Sequence, residues 1–351
     1  MKYLLIAIAA LSLVSCGEEL SREDLLPDAS GEHGNILLLL EDHVWEGPIG
    51  DALVAQLDQN CEGPFLRPEP LFSYFRKPTG KMNHVNKMTR LILKIIVDTD
   101  STYEETAIVE KYDYYARNQI FVVIKDSNPD RLLSYINNDF DYVLDLFNDF
   151  ELNQLIANYK ARPNHAINEQ TQKSFGISIS LPRTAMLKVT EDDFMLVKYE
   201  QSRNVMGDES RGTESETYWI EEGILFWTEP LDSAEYFEPY HIMATRDSVL
   251  KHNVAGNSEG SYMATEYDEY YRPEADKITF NGNETIVVRG LWKFAGHPGA
   301  FGGGPFIQYT MINKSTNELL TVCGYIYAPK FDKREYIRQV EAMLRTIEFT
   351  K

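Results

Sequence analysis

The pattern of apolar and polar positions changes character midway along the chain. Between Asn35 and Lys160, short unbroken apolar runs alternate with stretches of helical spacing. Asn35–Leu40, Leu91–Val97 and Gln119–Lys125 read as buried strands, because an unbroken run leaves no polar face for solvent. Gly47-Pro48 predicts a helix start, since proline fits the first helical turn, and the helix runs to about Asp58. Pro68 and Pro70 bracket an irregular entry to Leu71–Phe75. Ser101 with Glu104 three residues later has the capping-box pattern and predicts a helix to about Ala116. Asn128-Pro129 opens the clearest helix, in which Leu132, Leu133, Ile136, Phe140, Val143, Leu144, Phe147 and Ile156 recur at helical spacing. Asp139, Asp141, Asp145 and Asp149 fall largely off that stripe. A solvated acidic face accounts for them more simply than a cation-binding stripe does.

From residue 161 the pattern loosens and then becomes strand-rich. Residues 161–173 are polar and read as a linker. Strands are predicted at Phe175–Leu181, Phe194–Tyr199, Tyr262–Tyr267, Ile286–Phe294, Phe306–Ile312, Leu319–Tyr327 and Thr346–Phe349. Tyr218–Thr228 reads as a hairpin turning at Glu221-Glu222-Gly223, behind a charged loop at Ser202–Glu216. Helices are predicted around Ser233–Lys251 and after Asp332. Asp332 is the expected cap of the last helix, Glu335 completes its capping box, and Tyr336, Ile337, Val340 and Leu344 form its apolar stripe. The fold class is therefore α+β, with two α/β-sandwich-like domains. The first spans residues 35–160; the second, 174–351, is a mainly antiparallel sheet packed with helices.

The first residues stand apart from both halves. Lys2 is followed by an 11-residue apolar run, Leu4–Val14, and then by Ser15-Cys16. This is the layout of a secretory signal peptide. Leu13 three positions before the cysteine and a small residue directly before it make it a lipobox, with residues 1–15 removed and Cys16 lipidated. A spanning helix would need about 20 residues. Residues 16–34 are polar and acidic and are expected to form a flexible tether. The implied location is the cell envelope, lipid-anchored, with the outer membrane facing the periplasm expected and surface display as the alternative.

Composition narrows the partners. A net charge of −20 argues against nucleic acid and anionic headgroups, which need a basic face. Hydrophobic residues at 43% exclude a disordered body. Cys61 and Cys323 lie in dissimilar contexts, a turn and an apolar strand, and unpaired thiols are expected although export permits a disulfide. No metal-type spacing and no cofactor signature occur, so neither is expected.

In the second half, Arg246-Asp247-Ser248-Val249-Leu250-Lys251, Gly260-Ser261-Tyr262-Met263-Ala264-Thr265-Glu266, Arg289-Gly290-Leu291-Trp292 and Gly303-Gly304-Pro305-Phe306 follow in order. Tyr325-Ile326-Tyr327-Ala328-Pro329-Lys330 and Lys333–Ala342 close the series. With Trp45-Glu46-Gly47 and Asn118-Gln119-Ile120 in the first half, this resembles a Bacteroidetes lipoprotein family known as domain of unknown function 4837. The resemblance covers nearly all of the mature chain and implies no activity. Pro298–Gly303 is more Gly-rich than that family's pattern. The strand–helix order of the second half also loosely resembles antiparallel-sheet modules of the photosystem PsbP type, an analogy of fold alone.

Two stretches are candidate sites. Gly296–Pro305 is a Gly-rich connection in which Trp292, His297, Gly302, Gly303, Gly304 and Pro305 could approach a ligand, although glycines serving backbone geometry explain it more simply. Arg246 and Asp247, with Arg289, form a candidate polar cluster, for which a structural ion pair or domain contact is the simpler reading. Trp45, Trp219, Trp227 and Trp292 could form a sugar platform, but core packing accounts for most of them. No Gly-x-Ser-x-Gly elbow or His-Glu-x-x-His is present. The expected function is a non-enzymatic binding or assembly module with a protein or glycan partner of the envelope. A hydrolase acting on envelope glycan or peptide is the alternative.

Overall fold

The unbroken apolar runs of the first half become the central strands of a five-stranded sheet. Residues 25–191, 193–207 and 214–350 are described by the computed structural model. Strands β1 (Asn35–Leu39), β2 (Ser73–Lys77), β3 (Leu91–Val97), β4 (Ala107–Tyr112) and β5 (Ile120–Asp126) lie in the order β2-β1-β3-β5-β4, parallel except for β4. Helices α1 (Asp42–Trp45), α2 (Pro48–Leu57), α3 (His84–Lys87), α4 (Pro129–Asn138) and α5 (Asp141–Ala161) complete this domain. Alternate strand residues serve opposite faces. Ile36, Leu38, Leu93 and Val122 pack with residues of α2, α4 and α5, while Leu37, Leu39, Ile92 and Phe121 meet Phe75, Tyr114 and Tyr115 on the other side.

Three expectations in this half are corrected. The stretch expected as helix from Ser101 to Ala116 contains β4. The Ser101 hydroxyl donates to Asp98 at 2.6 Å instead of capping, and Ile108 and Val109 pair with Ile124 and Val123 of β5. A partner strand outweighed the local capping pattern, as β-branched residues favour. The long helix is two helices, broken at Asp139-Phe140, where Phe140 turns into the core at 1% exposure. Part of the tether is anchored. Ala29 donates to Arg117 and Ser30 to Met88, and Asp28 pairs with the Arg117 side chain. Residues 16–24 of the tether, and Cys16 with it, lie outside the described residues.

The second domain is antiparallel. It contains α6 (His165–Phe175), β6 (Ile177–Ser178), β7 (Met186–Thr190), β8 (Phe194–Val205), β9 (Glu216–Pro230), α7 (Pro239–Asn253), β10 (Tyr262–Thr265), β11 (Glu274–Phe280), β12 (Asn283–Ala295), β13 (Gly303–Asn313), β14 (Glu318–Tyr327), α8 (Arg334–Leu344) and β15 (Glu348–Phe349). The main sheet has the order β10-β12-β13-β14-β9-β8-β7, and β11 shares the outer edge of β12 with β10. Helices cover both faces. Ile224, Val322 and Ile307 pack with Val340 and Leu344 of α8 and Phe175 of α6. Leu225, Cys323 and Phe306 pack with Ile242 and Leu250 of α7.

Residues expected as linker, 161–173, are mostly α6. The Asn164 side chain accepts from the Ile167 amide, Ile167, Thr171 and Phe175 are buried one turn apart, and Gly176 ends the helix at φ +64°. The expected turn at Glu221-Glu222-Gly223 is continuous β9, because these residues pair with β8 on one side and β14 on the other. Residues 208–213 of the charged loop lie outside the described residues. Its flanks continue β8 and β9, which pair as far as Val205 with Glu216. Among the described residues no helix is long and apolar enough to cross a membrane.

Candidate functional site

The two domains meet through α5 and α8, where Leu152, Leu155 and Ile156 pack on Ala342. Beside this contact a cleft of about 510 Å³ opens between the domains. That is within the range of small-ligand sites. The loop 59–65 and the Asp141, Asp145, Asn148 and Asp149 side of α5 form one wall; Arg289 of β12, Arg334, Arg338 and Glu341 of α8, and Arg345 at its C-terminal cap form the other.

The basic wall is built by register. Arg289 sits on the α8-facing side of β12, one residue from Val288 on the opposite face. Its guanidinium pairs with Glu341 at 3.2 Å and with Glu62, from the other domain, at 3.4 Å. Just past the end of α8 and one turn beyond Glu341, Arg345 donates two hydrogen bonds to the other Glu341 oxygen, at 2.7 and 3.0 Å. Glu341 thus lies between two guanidinium groups. Burial, with Glu341 nearby, pushes the neighbouring Tyr309 hydroxyl up to about 12. Burial pushes the Cys61 thiol on the facing loop up to about 11 despite Arg338 and Arg334, so it remains a thiol at neutral pH.

Arg334, Arg338 and Glu69 lock the domains together. Asp332 was the expected cap of α8, but the cap comes from the other domain. The buried Glu69 carboxylate accepts from the Lys333 amide at 2.8 and 2.9 Å and from the Arg334 amide at 2.7 Å. A carboxylate there meets both the orphan amides and the positive end of the helix. Arg334 donates to the Pro70 carbonyl and the Ser73 hydroxyl, and Arg338 to the Leu71 carbonyl. Glu335 accepts from Arg334 and Arg338 rather than closing a capping box. No local sequence signal could have named Glu69, which lies 264 residues before Lys333.

The candidate residues from the sequence are scattered. Arg246 and Arg289 do not form one cluster, because the sheet separates them. Arg246 is fully buried on the α7 face, its guanidinium 3.8 Å from the Phe306 ring centroid, and among the described residues none of its three nitrogens has a hydrogen-bond partner. Asp247 accepts from Thr265 at 2.6 Å and Tyr267 at 2.7 Å. Arg289 alone lines the cleft, and it makes the domain contact through Glu62.

Much of the Gly-rich stretch serves the sheet. Trp292 is buried and donates its indole N–H to the Ile326 carbonyl at 3.0 Å. Gly303, Gly304 and Pro305 belong to β13, opposite Lys293, Trp292 and Leu291. A Cβ on Gly304 would lie 2.0 Å from the Ile326 carbonyl oxygen, so close backbone approach requires glycine there. Exposed His297 accepts from the Gly299 amide within its own turn, which ends at Gly302. Of the four tryptophans only Trp219 is exposed, at 65%. Trp227 and Trp292 are in the core, and Trp45 lies under Arg76. Cys61 and Cys323 are both free. Among the described residues no group of His, Cys, Asp and Glu could hold a metal ion.

A search of curated proteins finds no match. The fold is similar to the Saccharomyces cerevisiae Ran-binding protein Mog1p, with 11% identity and a TM-score of 0.31 over 50% of this chain and 91% of that one. A point mutant of Mog1 gives the same identity and TM-score over 92% of its chain. A Bacteroides thetaiotaomicron structure is similar at 9% identity and a TM-score of 0.24, over 50% of this chain and 46% of that one. At these scores neither fold details nor function pass to this chain. The family models fall on the two halves: Domain of unknown function (DUF8532) matches residues 29–160, and Domain of unknown function (DUF4837) matches residues 164–346. With more than half of its length under the latter, the chain belongs to the family described as Domain of unknown function (DUF4837).

Proposed function

We propose that this chain is a lipid-anchored protein of a Bacteroidetes cell envelope, tethered through Cys16, whose two-domain body is a binding or assembly module. The interdomain cleft is its binding site. The observation that carries the binding role is the pair of oppositely charged walls, contributed by different domains and facing each other across an open cleft. The support for the anchor is the lipobox and the acidic stretch behind it. The orientation is outer-membrane attachment facing the periplasm, with a protein or glycan of the envelope as the partner.

Glu341 and Cys61 in the lining are not poised for hydrolysis. Both Glu341 oxygens are engaged by arginines, and the Cys61 thiol is held protonated. A nucleophile or general base needs a free, suitably poised group. The anchor is tested by metabolic lipid labelling: labelling is expected for the wild type and lost in Cys16→Ser, and persistence in the variant overturns it. For the cleft, a photo-crosslinking residue at Asn148 is expected to give a discrete product in intact cells that Arg289→Glu abolishes. A product unaffected by Arg289→Glu, or none, removes the cleft from the proposal.

A further inference from the structure

The two walls of the cleft differ in how far their charges are already satisfied. On the basic wall, Arg289 and Arg345 share one carboxylate, Glu341. Among the described residues the only other acid on Arg289 is Glu62, whose side chain is 84% exposed at 3.4 Å, a contact that water screens. Two guanidinium groups around one carboxylate leave a local excess of positive charge on this wall, within a chain of net charge −20. The hydrogen bonds of Arg289 use one of its terminal nitrogens, so further N–H donors remain for a second carboxylate.

On the opposite wall Asp141, Asp145 and Asp149 repeat every fourth residue of α5 and all line the cleft. Like charges at this spacing face one another and disfavour the helix. Among the described residues none of the three has a cation within salt-bridge distance, although four arginines stand across the cleft. Apart from the exposed Glu62–Arg289 contact, the walls are therefore complementary in charge without neutralising each other. A ligand that carries both charges, at opposite ends, satisfies both walls together.

We infer that the cleft recognises a zwitterion with a free ammonium and a free carboxylate, either an amino acid or a short peptide with unblocked ends. This rests on the cleft being the binding site. The carboxylate is received by Arg289 and Arg345, where a planar guanidinium can bind it through two parallel hydrogen bonds. The ammonium is received by Asp145 and Asp149, with the Asn148 side chain between them on the same wall. Extended chain rises about 3.3 Å per residue, so peptides of different length place their two charges at different separations. Peptide length is thus the selective variable.

The test is titration calorimetry on the intact protein with alanine, trialanine, N-acetyl-trialanine and trialanine amide, and with inorganic phosphate as an anion-only probe. Trialanine or alanine is expected to bind, and the one that binds identifies the source of the chemistry. Blocking either end of the peptide is expected to weaken it by about tenfold or more. Arg289→Met should lower the affinity for trialanine and erase the difference between trialanine and its amide. Asp149→Asn should erase the difference between trialanine and its N-acetyl form. Arg345→Met and Asp145→Asn provide the same comparison should either first variant fold poorly, which circular dichroism reports. Equal binding of free and blocked peptides, binding of phosphate alone, or no binding of any probe overturns the zwitterion. Retention of the Asn148 crosslink in that event shows that only the ligand class has failed.

Discussion

Glu151 offers the sharpest measure of what holds the N-terminal segment to the body. Its carboxylate is fully buried on α5 and is met by Arg90 at 2.8 and 3.3 Å, by His33 Nδ1 at 2.5 Å and by the Gly34 amide at 3.3 Å. Burial alone would raise its pKa, but the hydrogen bonds from His33 and Arg90, with the Arg90 charge, outweigh this and bring it from 4.5 down to about 2. At about 1.36 kcal/mol per pH unit that difference corresponds to about 3 kcal/mol. Breaking a buried ion pair by removing one partner typically costs about 3–5 kcal/mol, which agrees. Glu151→Gln should therefore lower unfolding stability at pH 7 by about 3 kcal/mol, measured by urea denaturation. Because the folded pKa lies below the unfolded one, the contribution is complete above about 4.5 and fades as pH falls towards 2. Asp126 titrates over the same window. Hydrogen bonds from Arg131 and Thr106 there outweigh burial and hold its carboxyl at about 2. The readout is accordingly the difference between wild type and variant, which should shrink as pH falls from 5 to 2. A difference below about 1 kcal/mol at pH 7, or one independent of pH, refutes the reasoning.

Three other perturbations probe different parts of the molecule. Glu69→Ala removes the cap that one domain supplies to α8 of the other, and should cost about 2 kcal/mol in urea unfolding and increase proteolysis at the domain junction; an unchanged midpoint would show that water replaces the cap. Burial pushes the Glu222 carboxyl up to about 8 although Gln201 donates to it, and among the described residues its second oxygen has no partner. Since the folded state keeps this proton after the unfolded state has lost it, wild-type stability should fall as pH rises from 5 to 8, and Glu222→Gln should flatten that slope in thermal melts. Arg246 carries an unpartnered buried charge whose contact with Phe306 is worth about 2 kcal/mol, less than the several kcal/mol of desolvation. Arg246→Met should leave chemical stability unchanged or raise it by about 1–3 kcal/mol, and a loss beyond that would mean the guanidinium is stabilised by something other than the ring.

Local order in the chain was enough for the elements whose signals and packing agree. Ile36, Leu38, Leu93 and Val122 sit in strands buried on both faces, and such strands read as unbroken apolar runs whatever their neighbours are. Pro48 and Asn128-Pro129 mark helix starts because φ and the missing N–H act within one residue. The signal for α6 was equally local, in Asn164, Ile167, Thr171, Phe175 and Gly176, but its polar surface resembles a linker. The expectation of a signal peptide and lipobox likewise rests on sequence order alone.

Tertiary structure decided what depends on partners distant along the chain. Ala107–Tyr112 is a strand because β5 offers it a free edge, and β9 runs straight through Glu222 because two strands flank it. Arg246 and Arg289 looked alike in the sequence, but alternation along β12 and the position of α7 put one in the core and the other in the cleft. The cleft itself has no sequence signature. Its basic wall and its acidic wall come from different halves of the chain, and the charged residues of α5 and α8 each read alone as a solvated helix face. Packing α5 against α8 makes them face each other, because only the folded contact sets which charged faces remain open to one another.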